Sequence, residues 1–185
     1  MGETSGKLKW LEFSLRRNFL ERPGRFFVMF LLFLIPSQPW RALVSLFLLS
    51  SLLPKDIESR EERLVLSLPV KRWQIFTGDF ISGAVVLLVA GFLISAISGG
   101  GVGIEPLRWI GAMVFVYGLS VGFSVMGKGN FGLPLLIVVI DLSLSATPWG
   151  LFSPSFVGSP LALVIDAIVF MLAMLAYEKE GKLWS

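Results

Sequence analysis

Three acidic residues interrupt apolar segments of this chain and are its clearest candidates for chemistry. Asp79 lies near the start of one segment, Asp141 at the middle of another, and Asp166 within the last. An unpaired charge inside a bilayer is costly, so acids in such segments are candidates for lining a substrate route or binding a cation. No lysine or arginine lies at the depth of Asp141, which favours an uncharged carboxyl group there. The alternative is a structural role, with hydrogen bonds from serines such as Ser143 and Ser145.

The composition excludes most catalytic and metal-binding arrangements. The 185 residues include no histidine and no cysteine, which removes disulfides, thiolate and imidazole metal sites, and nucleophile–histidine pairs. The sequence "GKGN" at 127–130 lacks the upstream glycine and the following serine or threonine of a phosphate-binding loop. We therefore expect no enzyme activity and no cofactor bound to this chain.

The balance of residue types predicts a membrane protein. Apolar residues make up 55% of the chain and charged residues 16%, against about a quarter charged in soluble domains. The apolar residues form six segments, at 26–40, 41–54, 73–98, 107–126, 131–149 and 161–177. The predicted fold class is therefore an all-α membrane protein with six transmembrane helices. The first two segments would be helices of roughly 22 Å each, separated by "PSQPW" at 36–40, and are predicted to form a short hairpin.

Polar segments flank this transmembrane domain of residues 26–177. Residues 1–25 are too polar to span, and Leu8, Leu11, Leu15 and Phe19 follow helical spacing while Arg16 and Arg17 do not. This pattern predicts an amphipathic helix in the headgroup layer, with a solvated leader helix as the alternative. Residues 178–185 are predicted to form a polar tail.

The distribution of lysine and arginine predicts the topology. Of the 16 cations, 14 fall on the side that holds both termini and the loop at 55–72, and only Arg41 and Arg108 fall on the other. By the positive-inside rule, both termini and this loop are expected in the cytoplasm of a multi-pass plasma-membrane protein. Because the cations sit at the ends of apolar segments, we expect a lipid bilayer and not a nucleic acid as the partner of the basic residues.

The loop at 55–72 is the densest polar block of the chain. Seven of the nine residues from Lys55 to Arg63 are charged. A leucine-rich run at 64–68 follows, and Pro69 then stops the helix. A short charged helix with an apolar end suits docking into a groove of another protein. The alternative is a solvated loop helix that is stabilised by charge pairs one turn apart.

A longer stretch around this block, "DIESREERLVLSLPVKRWQIFTGDFISG" at 56–83, resembles the second-to-third-span loop of permeases in the type 2 exporter class of ATP-binding-cassette (ABC) transporters. A basic interfacial helix, six spans and a broken segment before the last span extend the likeness over the chain. The resemblance implies a permease subunit that pairs with a second permease subunit, identical or not, and with ABC ATPase subunits that bind ATP and Mg²⁺. It implies ATPase coupling by Glu58, Arg60, Glu61, Glu62, Arg63, Leu66, Pro69 and Arg72. The absence of a sizeable outer domain argues against relatives that handle lipoproteins or peptides.

Two other function classes remain open from the residues. A substrate-binding subunit of an energy-coupling-factor-type vitamin importer is also small and six-spanned. An intramembrane enzyme would need an aspartate pair or serine chemistry. Gly111, Gly118 and Gly122 form a stripe of small residues that is typical of helix packing, within one subunit or between two.

Overall fold

A computed structural model describes residues 9–21, 23–35, 38–59, 70–97, 105–145, 147, 148, 150, 153 and 160–183. Within this part of the chain the regular structure is entirely helical, which confirms the all-α class. The helices are α1 (Lys9–Glu21), α2 (Pro23–Phe33), α3 (Gln38–Ser50), α4 (Leu53–Ser59), α5 (Arg72–Ile97), α6 (Glu105–Val125), α7 (Gly132–Ser145) and α8 (Pro160–Leu183).

Two helices of the described chain are long and apolar enough to cross a membrane, by length and composition: Arg72–Ile97 and Pro160–Lys179. Shorter apolar helices occupy Pro23–Phe33, Trp40–Ser50, Trp109–Val125 and Gly132–Ser145. Each of the six predicted apolar segments therefore overlaps an apolar helix, and two of the helices meet both the length and the composition criteria for a full crossing. The first two, α2 and α3, have 11 and 13 residues, or about 16 and 20 Å of helix against a hydrocarbon core of about 30 Å.

Helix α6 lies at the centre of the packing and contacts α3, α4, α5, α7 and α8. Its most deeply buried side chains include Met113, Val116, Tyr117 and Val121, each at most 1% exposed. Helices α7 and α8 instead leave much of their apolar surface open. Large exposed apolar side chains on these two helices include Leu136, Val139, Ile140, Leu144, Leu163, Val164, Ile168, Met171, Leu172 and Leu175. Exposed apolar surface on this scale is compatible with a lipid environment and is uncommon in soluble monomers.

Contacts between helix ends define one end of the structure, here called the loop end because residues 60–69 join α4 to α5 there. At the start of α5, Arg72 donates a hydrogen bond of 3.0 Å to the carbonyl oxygen of Tyr177 near the end of α8. The Asn130 amide, just before α7, donates a 3.0 Å bond to the carbonyl oxygen of Ser50 at the end of α3. The Asn130 amide thus satisfies a carbonyl group at the C-terminus of α3, which lacks a partner within its own helix, and the Arg72 guanidinium joins the start of α5 to the last turns of α8.

The opposite end is marked by Arg41 near the start of α3. Its guanidinium lies 5.9 Å from the ring centroid of Phe33 and 6.0 Å from that of Trp109. Phe33 ends α2 and Trp109 is in the second turn of α6. The ends of α2, α3 and α6 are therefore close together here, away from the loop end.

Candidate functional site

Helix α1 buries a polar face against α5. Ser14 and Asn18 are its two buried residues, whereas Leu20 is 67% exposed and Leu11 and Leu15 are half-buried. The sequence predicted an amphipathic helix with Arg16 and Arg17 off its leucine stripe. Arg17 does lie off that stripe, and its side chain points into the interior, toward carboxylates on α4 and α5.

The buried face of α1 carries an ion-pair network. One guanidinium nitrogen of Arg17 lies 2.6 Å from a carboxylate oxygen of Asp79 and 3.3 Å from one of Asp56. The Asn18 amide donates a 2.8 Å hydrogen bond to the other carboxylate oxygen of Asp79. Asp79 and Asn18 are fully buried and Asp56 is 2% exposed. We call Arg17, Asn18, Asp56 and Asp79 the Arg17 network.

The backbones of α1 and α5 approach closely beside this network, and Gly78 makes the approach possible. A Cβ atom at residue 78 would lie 2.8 Å from Cβ of Ser14 and 3.3 Å from the ring of Trp10. Trp10 also meets Trp73 edge to face, with centroids 5.7 Å apart. The glycine before Asp79 therefore lets α1 come close enough for Arg17 and Asn18 to reach the carboxylate.

An aromatic cluster fixes the first turns of α5, which carry Asp79. The ring of Phe76 lies 5.1 Å from Tyr117 on α6 and 4.8 Å from Phe170 on α8, and the ring of Phe80 lies 5.4 and 5.2 Å from the same two rings. The Tyr117 hydroxyl donates a 2.9 Å hydrogen bond to the carbonyl oxygen of Phe76. Offset and edge-to-face contacts of this kind add to the stability of buried rings. Asp79 is consequently presented to Arg17 from a well-packed helix start.

The Arg17 network spans the two flanks of the charged loop. Asp56 belongs to α4, which ends at Ser59, and Asp79 belongs to α5, which begins at Arg72. One guanidinium on α1 is thus bonded to the helix before residues 60–69 and to the helix after them. Buried ion pairs are costly to desolvate and contribute more to a defined geometry than to net stability. The charges of the Arg17 network can therefore fix the positions of α1, α4 and α5 relative to one another.

The network leaves two polar atoms of the described structure without a hydrogen-bond partner. They are Nε of Arg17 and the side-chain oxygen of Asn18, and both are buried. Unsatisfied buried polar groups are rare in proteins and costly.

Most of the predicted ATPase-coupling residues lie outside the described part of the chain: Arg60, Glu61, Glu62, Arg63, Leu66 and Pro69. Glu58 and Arg72 are described. Glu58 is exposed at the end of α4, near Gly129 in the turn before α7. Arg72 faces α8, where its guanidinium lies 5.0 Å from the ring centroid of Tyr177 in addition to bonding that residue's carbonyl oxygen.

The three acids singled out in the sequence have different surroundings. Asp79 belongs to the Arg17 network. Asp141 on α7 and Asp166 on α8 are 5% and 2% exposed. The predicted serine partners of Asp141 are engaged elsewhere, since the hydroxyl of Ser143 donates to the carbonyl oxygen of Val139 and that of Ser145 to the carbonyl oxygen of Leu142.

The glycine stripe of α6 faces α8 within the same subunit. A Cβ at Gly118 would lie 3.1 Å from the backbone nitrogen and Cα of Phe170, and one at Gly122 would lie 3.9 Å from Cβ of Ala173. At Gly111 the neighbour is polar, because a Cβ there would lie 2.7 Å from a carboxyl oxygen of Asp166. The stripe therefore brings α6 and α8 close together and leaves room for an acidic side chain at one point.

Sequence reasoning missed Arg17, Asn18 and Asp56 as members of a site. The signal was present as a polar stripe, because Ser14, Arg17 and Asn18 recur at spacings of three and four residues and therefore share one helix face. A second signal was Asp79 itself, an acid in an apolar segment that required a cationic partner.

No cluster of three or more acidic side chains suited to a metal ion occurs among the described residues. Comparison with known proteins gave no matching family model, no similar curated protein and no similar solved structure.

Proposed function

We propose that this chain is the membrane-spanning permease subunit of an ABC-type exporter and that the loop at 55–72 docks onto a separate ATPase subunit. The observation that supports the proposal best is that one buried guanidinium, Arg17, bonds to both flanks of that loop. A docking element that transmits force needs rigid attachment to the membrane helices. The Arg17 network supplies this attachment, because a displacement of residues 60–69 acts on Asp56 and Asp79 together.

Such a displacement would move three helices at once. Asp56 carries the motion into α4, which packs on α6. Asp79 carries it into α5, the helix that is held to α6 and α8 through the aromatic cluster. Arg17 carries it into α1. Packed interfaces of this kind switch between discrete arrangements, so the three helices would move together.

The proposed topology has six membrane-embedded helices, α2, α3, α5, α6, α7 and α8, with both termini and the loop end in the cytoplasm of a plasma-membrane protein. The contact of Arg72 with the end of α8 and the contact of Arg41 with Phe33 and Trp109 support alternating helix directions. The short α2 and α3 would leave the bilayer thinned beside them. Two such permease subunits would form the pathway, and ATP and Mg²⁺ would bind only to the ATPase partners.

The proposal is tested by purifying the tagged chain from its native membrane in mild detergent and identifying the proteins that co-elute. We expect a stoichiometric ABC ATPase with the unmodified chain and its loss when Glu61 and Glu62 are both changed to lysine. The matched control is Glu12→Lys, which reverses an exposed acid on α1 and should retain the ATPase.

Three results would contradict the proposal. They are retention of the ATPase by the Glu61→Lys/Glu62→Lys variant, co-elution of a large membrane scaffold in place of an ATPase, and isolation of the chain with only a tightly bound metabolite. The last two outcomes would favour a substrate-binding subunit of an energy-coupling-factor-type importer.

A further inference from the structure

The seam between α6, α7 and α8 contains a carboxyl group without a hydrogen-bond partner. Both carboxyl oxygens of Asp166 are buried and lack a partner in the described structure, and the residue is 2% exposed. Asp141 on α7 acts on it electrostatically and is itself 5% exposed. Asp79 differs from Asp166 in this respect. It is equally buried, but its carboxylate accepts hydrogen bonds from both Arg17 and Asn18.

The helix opposite Asp166 is shaped to receive its side chain. One carboxyl oxygen lies 2.7 Å from the position that a Cβ would take at Gly111, and a methyl group of Leu163 lies 2.9 Å from the same position. Any larger residue on α6 would displace the carboxyl group. The space therefore holds an acid beside Gly111 and Leu163, and no described residue donates a hydrogen bond to it.

Few charged or titratable groups of the described chain lie near Asp166. Helix α7 contributes Asp141, and the described side chains of α6, from Trp109 onward, carry no charge. Arg41 on α3 is a cation at the same end of α6, and it donates to the carbonyl oxygen of Ile35 and lies against Phe33 and Trp109. Arg72 and Tyr177 lie at the loop end, at the start of α5 and eleven residues after Asp166 on α8. The hydroxyl of Ser153 lies 3.5 Å from the backbone carbonyl oxygen of Asp141 and donates to it.

We propose that the carboxyl group of Asp166 is a proton-binding site in the apolar part of the helix bundle. An isolated carboxylate in an apolar setting is strongly disfavoured, and such a group becomes neutral by taking up a proton. A second acid nearby adds repulsion between the two ionised forms. A protonated carboxyl group is neutral and carries one O–H donor, so the bound proton removes the charge that the apolar surroundings disfavour.

A metal ion is the weaker match to these residues. The described side chains offer two carboxyl groups at this seam, whereas hard cations take about six or more oxygen ligands. A proton requires one oxygen. The site is independent of the ATPase-docking proposal, because it lies on other helices and concerns a different ligand.

The test is the infrared spectrum of the purified full-length chain in lipid nanodiscs at neutral pH. A protonated carboxyl group has a carbonyl stretch that an ionised carboxylate lacks. We expect this band in the unmodified chain and its loss in Asp166→Asn. The control Glu12→Gln removes an exposed acid and should leave the band unchanged.

A second measurement keeps the proposal falsifiable if Asp166→Asn does not fold. Dicyclohexylcarbodiimide reacts with protonated carboxyl groups in apolar settings: the acid proton passes to a carbodiimide nitrogen as the carboxyl oxygen bonds to the central carbon, and the adduct is located by mass spectrometry. Labelling of Asp166 and not of Asp79 in the unmodified chain is the expected result.

Three outcomes would overturn the assignment. One is the absence of the band in the unmodified chain, and another is its persistence in folded Asp166→Asn. The third is loss of the band when sodium replaces choline at constant pH, because that result would assign the site to a metal cation. Failure of ATPase co-elution would leave this assignment unaffected.

Discussion

Replacement of Arg17 by alanine is expected to lower the free energy of unfolding by about 3–5 kcal/mol, because it leaves two buried carboxylates without their cation. The side chain of Arg17 is 9% exposed and those of Asp56 and Asp79 are at most 3% exposed, so water cannot replace the lost contacts. The measurement is denaturant-induced or thermal unfolding of the purified chain in mild detergent, followed by far-ultraviolet circular dichroism. The same substitution should detach α1 from α5 and increase protease cleavage near residue 22.

Two further variants separate a charge effect from a packing effect. The combination Arg17→Met, Asp56→Asn and Asp79→Asn removes all charges of the network and keeps its approximate volume, so it should be more stable than Arg17→Ala, which leaves two buried carboxylates without their cation. Arg16→Ala removes the neighbouring exposed cation and should change stability by no more than about 0.5 kcal/mol. Equal destabilisation by Arg16→Ala and Arg17→Ala would contradict the buried network.

Substitution of Gly78 by alanine is expected to destabilise the chain by up to about 2 kcal/mol. The added methyl group would collide with Ser14 on α1, 2.8 Å from its Cβ, and overpacking of this kind costs about 1–3 kcal/mol. Alanine also favours the helix by about 1 kcal/mol relative to glycine, which offsets part of that cost. The unfolding measurement used for Arg17 applies here as well.

The Gly78 prediction has a rescue and a matched control. Ser14→Gly removes the atoms in the way, so Gly78→Ala together with Ser14→Gly should be more stable than Gly78→Ala alone. Gly122→Ala is the control in another helix, because its methyl group would meet Ala173 at an ordinary distance of 3.9 Å. If Gly78→Ala were as harmless as Gly122→Ala, the close approach of α1 to α5 would be wrong.

Much of the architecture could be predicted from apolar segments alone. Long runs such as 73–98 and 161–177 predicted the two long helices, since an uninterrupted apolar stretch of about 20 residues forms a helix of crossing length. The prolines and the glutamine at 36–39 predicted the break between α2 and α3. Helix ends were less well predicted, as with α7, which ends at Ser145 although the apolar segment continues to 149.

The candidate site was predicted only in part, because its members are far apart in the chain. Asp79 was predicted as a candidate because it is an acid in an apolar segment, but its partners Asn18 and Arg17 lie 61 and 62 residues away in the sequence. The leucine spacing of α1 favoured an apolar buried face. Hydrophobic periodicity within one helix cannot predict an ion pair with a carboxylate on another helix. Tertiary ion pairing therefore decided which face of α1 is buried.

The same reasoning applies to the glycine stripe. Its spacing predicted close packing, and the structure places it against α8. The spacing could not predict that Gly111 would lie opposite an acid, since the register between α6 and α8 is set by tertiary contacts such as Gly118 against the backbone of Phe170. The surroundings of Asp166 therefore depend on the packing of α8 against α6 and could not be predicted from its own segment.

The central functional claim is that the loop at 55–72 touches an ATPase, and site-directed cross-linking tests it most directly. The chain has no native cysteine, so a single cysteine in place of Glu61 can carry a photoactivatable cross-linker in native membranes. We predict an adduct with a protein that contains an ABC ATPase domain, in an amount that changes when ATP is added. An adduct only with lipid, with a membrane scaffold or with the chain itself, in folded protein, would contradict the claim.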